Sequence, residues 1–150
     1  MFSPKRILVP TDFSNYSCNA LRQAADIAQY CHAQVYLVHV IDQNLQRCVT
    51  EYGLSNGVIR EIQEESMTHA IDSLRKTIDG VTGYHSPVEF SFEVKQGVPF
   101  NEILLEQEAK NIDLIVMASH GETGMSNMLI GSVAEKVIRN AKCPVLLLRN

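Results

Sequence analysis

Three unbroken apolar runs constrain this chain more than anything else in it: Ile7-Leu8-Val9, Leu114-Ile115-Val116-Met117 and Val145-Leu146-Leu147-Leu148. A strand with no polar face has nothing to offer water, so each run belongs in a sheet covered on both sides, as parallel sheets are. Gln34 to Ile41 reads as a further strand. Val88 to Val94 alternates strictly between apolar and polar residues, the mark of a strand with one face toward water, and is expected at an edge.

The segments between these runs carry helical spacing. Ala20, Leu21, Ala24, Ala25, Ile27 and Ala28 recur on one face, and their small side chains let a helix lie close to a sheet. Val58 to Ile78 forms a long amphipathic pattern ending near Gly80. Pro99 suits the first turn of a third helix running to about Asn111, and Val133–Asn140 supplies a fourth. Asp42 to Gly57 lacks periodicity and reads as a surface loop able to cover a site. Five strands alternating with four helices predict an α/β fold with a parallel sheet and right-handed crossovers. At 150 residues a single domain, 1–150, is expected.

Charge and cysteine content narrow the function. With 13 basic against 17 acidic residues the net charge is −4, which argues against a reader of nucleic-acid backbones. Cys18, Cys31, Cys48 and Cys143 show neither a C-x-x-C pair nor zinc-type spacing, so reduced thiols are expected. The apolar run near the start is too short for a signal peptide or a membrane span, and a cytoplasmic location without membrane association follows as the expectation.

The most informative stretch joins the third apolar run to the last helix. Met117-Ala118-Ser119-His120-Gly121 is followed by Gly124 and then by Gly131-Ser132, giving strand, glycine loop and helix start. Glycines there permit positive φ and close approach of main chain to a ligand, and unpaired amides in the first helical turn attract phosphate. Ser132-x-x-Glu135 equally reads as a capping box that needs no ligand. No Gly-Lys-Ser/Thr occurs, so this is not a Walker A loop. If the first and fourth strands are neighbours, Asp12 and the Gly121 loop face one crevice at the carboxyl ends of the strands.

Taken together, Ile7 to Asp12, Gly97-x-Pro99, Asp113 to Met117, Ser119-His120-Gly121, Gly131 to Val137 and Cys143-Pro144-Val145 resemble the universal stress protein family over essentially the whole chain. That resemblance implies strand order 3-2-1-4-5, a Rossmann-like fold and, in many members, bound ATP. It places the nucleotide among Pro10, Thr11, Asp12 and Val40 on one side and the Met117–Gly121 segment, Gly124, Gly131, Ser132 and Val133 on the other. The family's Gly-x-x-Gly, nine residues, Gly-Ser/Thr pattern is matched at Gly121, Gly131 and Ser132 but carries Ala118 in place of its first glycine. An extra Cβ is harmless if Ala118 keeps β geometry and costs about 1 kcal/mol or more if φ must be positive.

Further roles follow from the resemblance, each beside a plainer alternative. Val40 meets adenine or is core; Asp12 lies near ribose or a metal-phosphate group or caps the first helix; His120 donates to phosphate or is simply exposed; Met117 packs against the base or fills core. Glu122 would repel phosphates unless Mg²⁺ or Mn²⁺ lies between, which favours metal-dependent binding with Asp12 as a ligand. Without Lys or Arg in the loop, efficient hydrolysis is not expected. The apolar fifth strand, an edge in this order, predicts a homodimer through Val145–Leu148. The functional expectation is an ATP-binding regulatory protein acting through partner interactions, with a nucleotide-free dimeric interaction module as the alternative and a slow ATPase third.

Overall fold

The computed structural model describes residues 1–43, 47, 51–83, 87–121 and 129–149. In chain order these form β1 (Arg6–Pro10), α1 (Asn15–Cys31), β2 (Gln34–Asp42), α2 (Asn56–Thr82), β3 (Glu89–Gly97), α3 (Pro99–Ala109), β4 (Leu114–Ala118), α4 (Ser132–Asn140) and β5 (Val145–Leu148). The strands make one sheet in the order β3-β2-β1-β4-β5, every neighbouring pair parallel. This is the expected α/β architecture, with helices on both faces.

Alternation along β1 divides the core. Ile7 and Val9 point into one apolar cluster with Ala20, Ala24 and Leu21 of α1 and Leu74 and Val81 of α2. Leu8 points the other way, into a second cluster with Ile103 of α3, Met117 of β4 and Ala134 and Val137 of α4. The unbroken apolar strands β1 and β4 are thus sandwiched between helix layers, whereas β5 is half-buried at an edge. The alanine face of α1 is fully buried against the sheet, as small side chains allow.

The sheet edges differ from the sequence expectation in one respect. β3 is at an edge, and Phe90, Phe92 and Val94 pack toward α1 and α2. Its polar side does not simply face water, because α3 roofs part of it. Lys95 reaches Glu106 at 2.8 Å, and Lys110 lies 3.3 Å from Glu93 and 3.7 Å from Glu106. Glu106 is only 5% exposed, so its buried carboxyl depends on the two ammonium groups beside it. The hydrogen bond to Glu106 raises the Lys95 pKa, against the opposing effect of burial. Glu93 is held below the ordinary carboxylate range, first by its hydrogen bond with Glu106 and then by the charges of Lys110 and Lys95.

Helix α2 begins two residues earlier than periodicity indicated, because the Ser55 hydroxyl accepts from the Val58 amide and caps it, and it runs through Gly80 to Thr82. Asp42 belongs to β2 rather than to the following loop. Residues 44–46 and 48–50 of that expected loop lie outside the described residues, as do Glu122 and Gly124.

Candidate functional site

A cavity of about 280 Å³ opens at the carboxyl ends of β1, β2 and β4. It sits where β1 meets β4, the point at which the winding of the sheet reverses and ligands of such folds bind. Val40, Pro99, Ile103 and Met117 give it an apolar part, and Asp12, His120, Gly121 and Ser132 a polar one.

The segment after β1 is held in an unusual conformation. The Thr11 amide extends the ladder by donating to Val38 O at 2.8 Å. Its hydroxyl accepts from the Phe13 amide at 3.0 Å and lies 2.9 Å from Ser17 Oγ, which in turn donates to Ser14 O. Phe13 has a left-handed φ of 66°, and its ring lies 4.4 Å from that of His39, centroid to centroid. A bulky residue at positive φ persists only where its surroundings over-determine it, and here they do. His39 Nδ1 donates to Thr11 O at 2.8 Å, since a carbonyl can only accept.

Asp12 is set by this segment. Its Oδ1 accepts from the Ser14 amide at 3.0 Å, while the cap of α1 is Ser14, whose hydroxyl accepts from Ser17 N. The helix-cap alternative for Asp12 is therefore incorrect. The carboxylate instead faces β4: a Cβ added to Gly121 would lie 2.8 Å from Asp12 Oδ2.

On the opposite wall Ser119 is a hub. It is 2% exposed. Its amide donates to Leu148 O of β5 at 2.8 Å, its carbonyl accepts from the Gly131 amide at 2.7 Å, and its hydroxyl lies 2.8 Å from His120 Nδ1. The expectation that the Gly131 amide is open to a ligand is thus overturned. Gly121 and Gly131 do not use the left-handed φ that glycine permits. Gly131 has φ −60° and ψ 151°, ordinary for any residue. What they need is space, as a Cβ at Gly131 would stand 3.2 Å from Ser119 O.

Ala118 resolves the question posed by the missing first glycine. It ends β4, paired with Leu148 in regular parallel register and without a left-handed φ, so its methyl adds bulk at the cavity wall without backbone strain. At the start of α4 the N-cap is Gly131 and no side chain caps the helix. Ser132 is one position inside, and Glu135 pairs with Arg139 at 2.9 Å, so the capping-box reading does not hold. The first intrahelical bond runs from Glu135 N to Gly131 O, leaving the amides of Ser132, Val133 and Ala134 without intrahelical acceptors beside the cavity.

His120 is half-buried rather than exposed, and its Nε2 is out of solvent with no hydrogen-bond partner among the described residues. Among the described residues no Lys or Arg lines the cavity, and no three His, Cys, Asp or Glu side chains cluster to hold a metal ion. Asp12 is the one carboxylate among the described lining residues, so a divalent ion here would take most ligands from phosphate and water, as Mg²⁺ readily does. Sequence reasoning overlooked Ser17, His39, Pro99 and Ile103. The last two lie on α3, whose approach to the cavity no local pattern announces; His39 precedes Val40, and that adjacency was the available signal.

A five-stranded parallel sheet with a glycine-edged cavity at its switch point defines a Rossmann-like α/β protein. The profile of the universal stress protein family matches residues 4–149, and the chain belongs to that family. A universal stress protein of Methanocaldococcus jannaschii, MJ0531, is 38% identical over 145 residues, covering 97% of this chain and 82% of the relative. The solved structure of MJ0577, a universal stress protein of the same organism, superposes with a TM-score of 0.84 at 28% identity, covering 99% of this chain and 98% of the other. A universal stress protein solved in complex with cAMP shares the fold, with a TM-score of 0.73 at 19% identity and coverage of 99% and 98%. Among the described residues no helix is long and apolar enough to cross a membrane.

Proposed function

We propose that this protein binds ATP in the cavity between β1 and β4 and acts as a regulatory protein whose occupancy modulates its contacts with partners. The observation that carries the reading is the start of α4. Three amides without intrahelical acceptors and Ser132 border a cavity whose far part is apolar, an arrangement suited to phosphates at one end and a base at the other. The phosphates would lie on the Ser132, Val133 and Ala134 amides and on Gly121, and the base near Val40 and Met117. The cAMP complex supports the reading at the level of the fold, since a protein of the same architecture is solved with an adenine nucleotide.

Asp12 would meet the ribose or a Mg²⁺ or Mn²⁺ carried by the phosphates. With no cationic side chain among the described lining residues, nothing there stabilises a transferring phosphoryl group, and hydrolysis would be slow. Binding would reach a partner surface through Ser119, whose amide holds the end of β5. β5 is half-buried along its length and hydrogen-bonded to β4 alone within the sheet, leaving an edge on which a second copy would extend the sheet.

Ala118 favours one other reading, a dimeric interaction module without nucleotide, because its methyl occupies cavity space. Equilibrium dialysis with labelled ATP, with and without Mg²⁺, separates the two. Saturable one-site binding strengthened by Mg²⁺ supports the first, and no binding at millimolar ATP supports the second.

A further inference from the structure

We propose that His39 is a positioning residue that brackets Asp12, holding Phe13 at its left-handed φ so that the Asp12 carboxylate is presented to the cavity. The proposal deepens the ATP reading and rests on it for the identity of the ligand. Val38 and Val40 belong to the cluster on the α3 and α4 side of the sheet, so His39 between them points to the α1 side, where the chain leaving β1 turns into α1. There it meets the residues on both sides of Asp12. Its Nδ1 donates to Thr11 O at 2.8 Å, and that carbonyl belongs to the peptide group joining Thr11 to Asp12. Its ring lies 4.4 Å from that of Phe13, centroid to centroid. One side chain thus sets the peptide plane before Asp12 and the ring of the residue after it.

The strain at Phe13 shows what the bracket does. A φ of 66° is unfavourable for a bulky residue, which left to itself moves to negative φ. That move would disrupt two bonds of the turn, from the Phe13 amide to Thr11 Oγ1 and from the Ser14 amide to Asp12 Oδ1, each 3.0 Å. The second fixes the carboxylate whose other oxygen, Oδ2, faces Gly121. Starting α1 does not require the strain, since Ser14 caps the helix in ordinary extended geometry. Strain that the helix start does not need points to the site. His39 also borders the cavity, so direct contact with the ligand is the competing account.

The test uses the full chain and separates the two. Three-bond couplings reporting φ at Phe13, measured without nucleotide, should give a positive angle in the native protein and a negative one in His39→Leu. His39→Leu should weaken Mg-ATP by about five- to thirtyfold, the equilibrium weight of one bulky residue at left-handed φ. His39→Asn carries an N–H on the atom bonded to Cγ, as Nδ1 is, and should stay within about threefold of native. Adding Phe13→Gly to His39→Leu should return affinity to within about threefold, because glycine takes positive φ about as readily as negative. The Tm of that double variant should nevertheless fall further, since the Phe13 ring packs against the core. In an Asp12→Ala background His39→Leu should cost no further affinity. Positive φ retained in His39→Leu, undiminished ATP affinity, or affinity that keeps falling with Tm in the double variant overturns the proposal. So does a full additional loss in Asp12→Ala, which would assign His39 to direct contact. If the native protein binds no ATP, the nucleotide reading fails, and the Phe13 couplings alone decide whether His39 holds the turn.

Discussion

Gly121→Ala separates the demands of folding from those of the site. The new Cβ would stand 2.8 Å from Asp12 Oδ2, whereas ordinary contact begins at 3.4 Å, so the carboxylate must retreat by roughly 0.6 Å. It cannot do so without straining the bond from the Ser14 amide to Oδ1, now 3.0 Å. Weakening that bond costs about 0.5–1.5 kcal/mol, and removing a glycine from the unfolded chain returns about 0.4–1 kcal/mol. The net change is within about 1 kcal/mol, a Tm shift of at most about 4 °C for a chain of this size. Binding should suffer more. A displaced Asp12 loses a charge-assisted contact to ribose or metal, about 1.5–3 kcal/mol, or roughly ten- to a hundredfold in Kd. Calorimetric titration with Mg-ATP beside thermal unfolding reads both quantities. Unchanged affinity would show that Asp12 does not touch the nucleotide, and a collapse of Tm would show that the Asp12–Gly121 contact is structural.

Lys95→Met should destabilise the protein by about 1–2 kcal/mol in urea unfolding, below the range for a fully buried pair because Lys95 is one-third exposed and Lys110 stays near Glu106. The Glu93 pKa is lowered on folding, so its contribution is present above the ordinary carboxylate range and is lost as pH falls through the folded value; the raised Lys95 contributes below the ordinary lysine value and is lost as pH rises beyond it. Urea midpoints of native protein should therefore fall at both extremes, and Lys95→Met should blunt the alkaline fall; identical profiles would refute the network's role. ATP turnover should stay below about 1 s⁻¹ in a coupled phosphate-release assay, and faster release would require a catalytic group the described cavity does not contain. Sedimentation equilibrium at micromolar concentration should give twice 16.8 kDa, and a clean monomer would mean that the β5 edge is not a dimer surface.

Where one residue's periodicity decides its place, the fold was legible. The doubly apolar runs of β1 and β4 became the covered strands, and the alternation of Phe90, Phe92 and Val94 with Ser91 and Glu93 marked β3 as an edge. Less legible was whatever depends on elements distant in sequence. Nothing near Glu93 announces that α3 supplies Glu106 and Lys110 to its polar side. The same limit applied at the site. Gly131 looked like a glycine chosen for conformation and an open amide, yet its conformation is ordinary and its amide is taken by Ser119, twelve residues back across the loop. Ser132 looked like a cap because local spacing matches one, but the helix begins a residue earlier than the motif requires. Phe13 at positive φ carries no sequence signal, since its strain is stabilised by His39 from another strand.

The central claim is that a nucleotide occupies the cavity at the β1–β4 switch point. Its most direct test is a titration of ¹⁵N-labelled protein with Mg-ATP followed by backbone amide shifts. The account predicts that the largest changes fall on Asp12, Val40, Gly121, Ser132 and Val133, which border the cavity, with smaller ones at Leu148 through Ser119. Shifts confined to α2 or β3, or a spectrum unchanged at millimolar ATP, would contradict it.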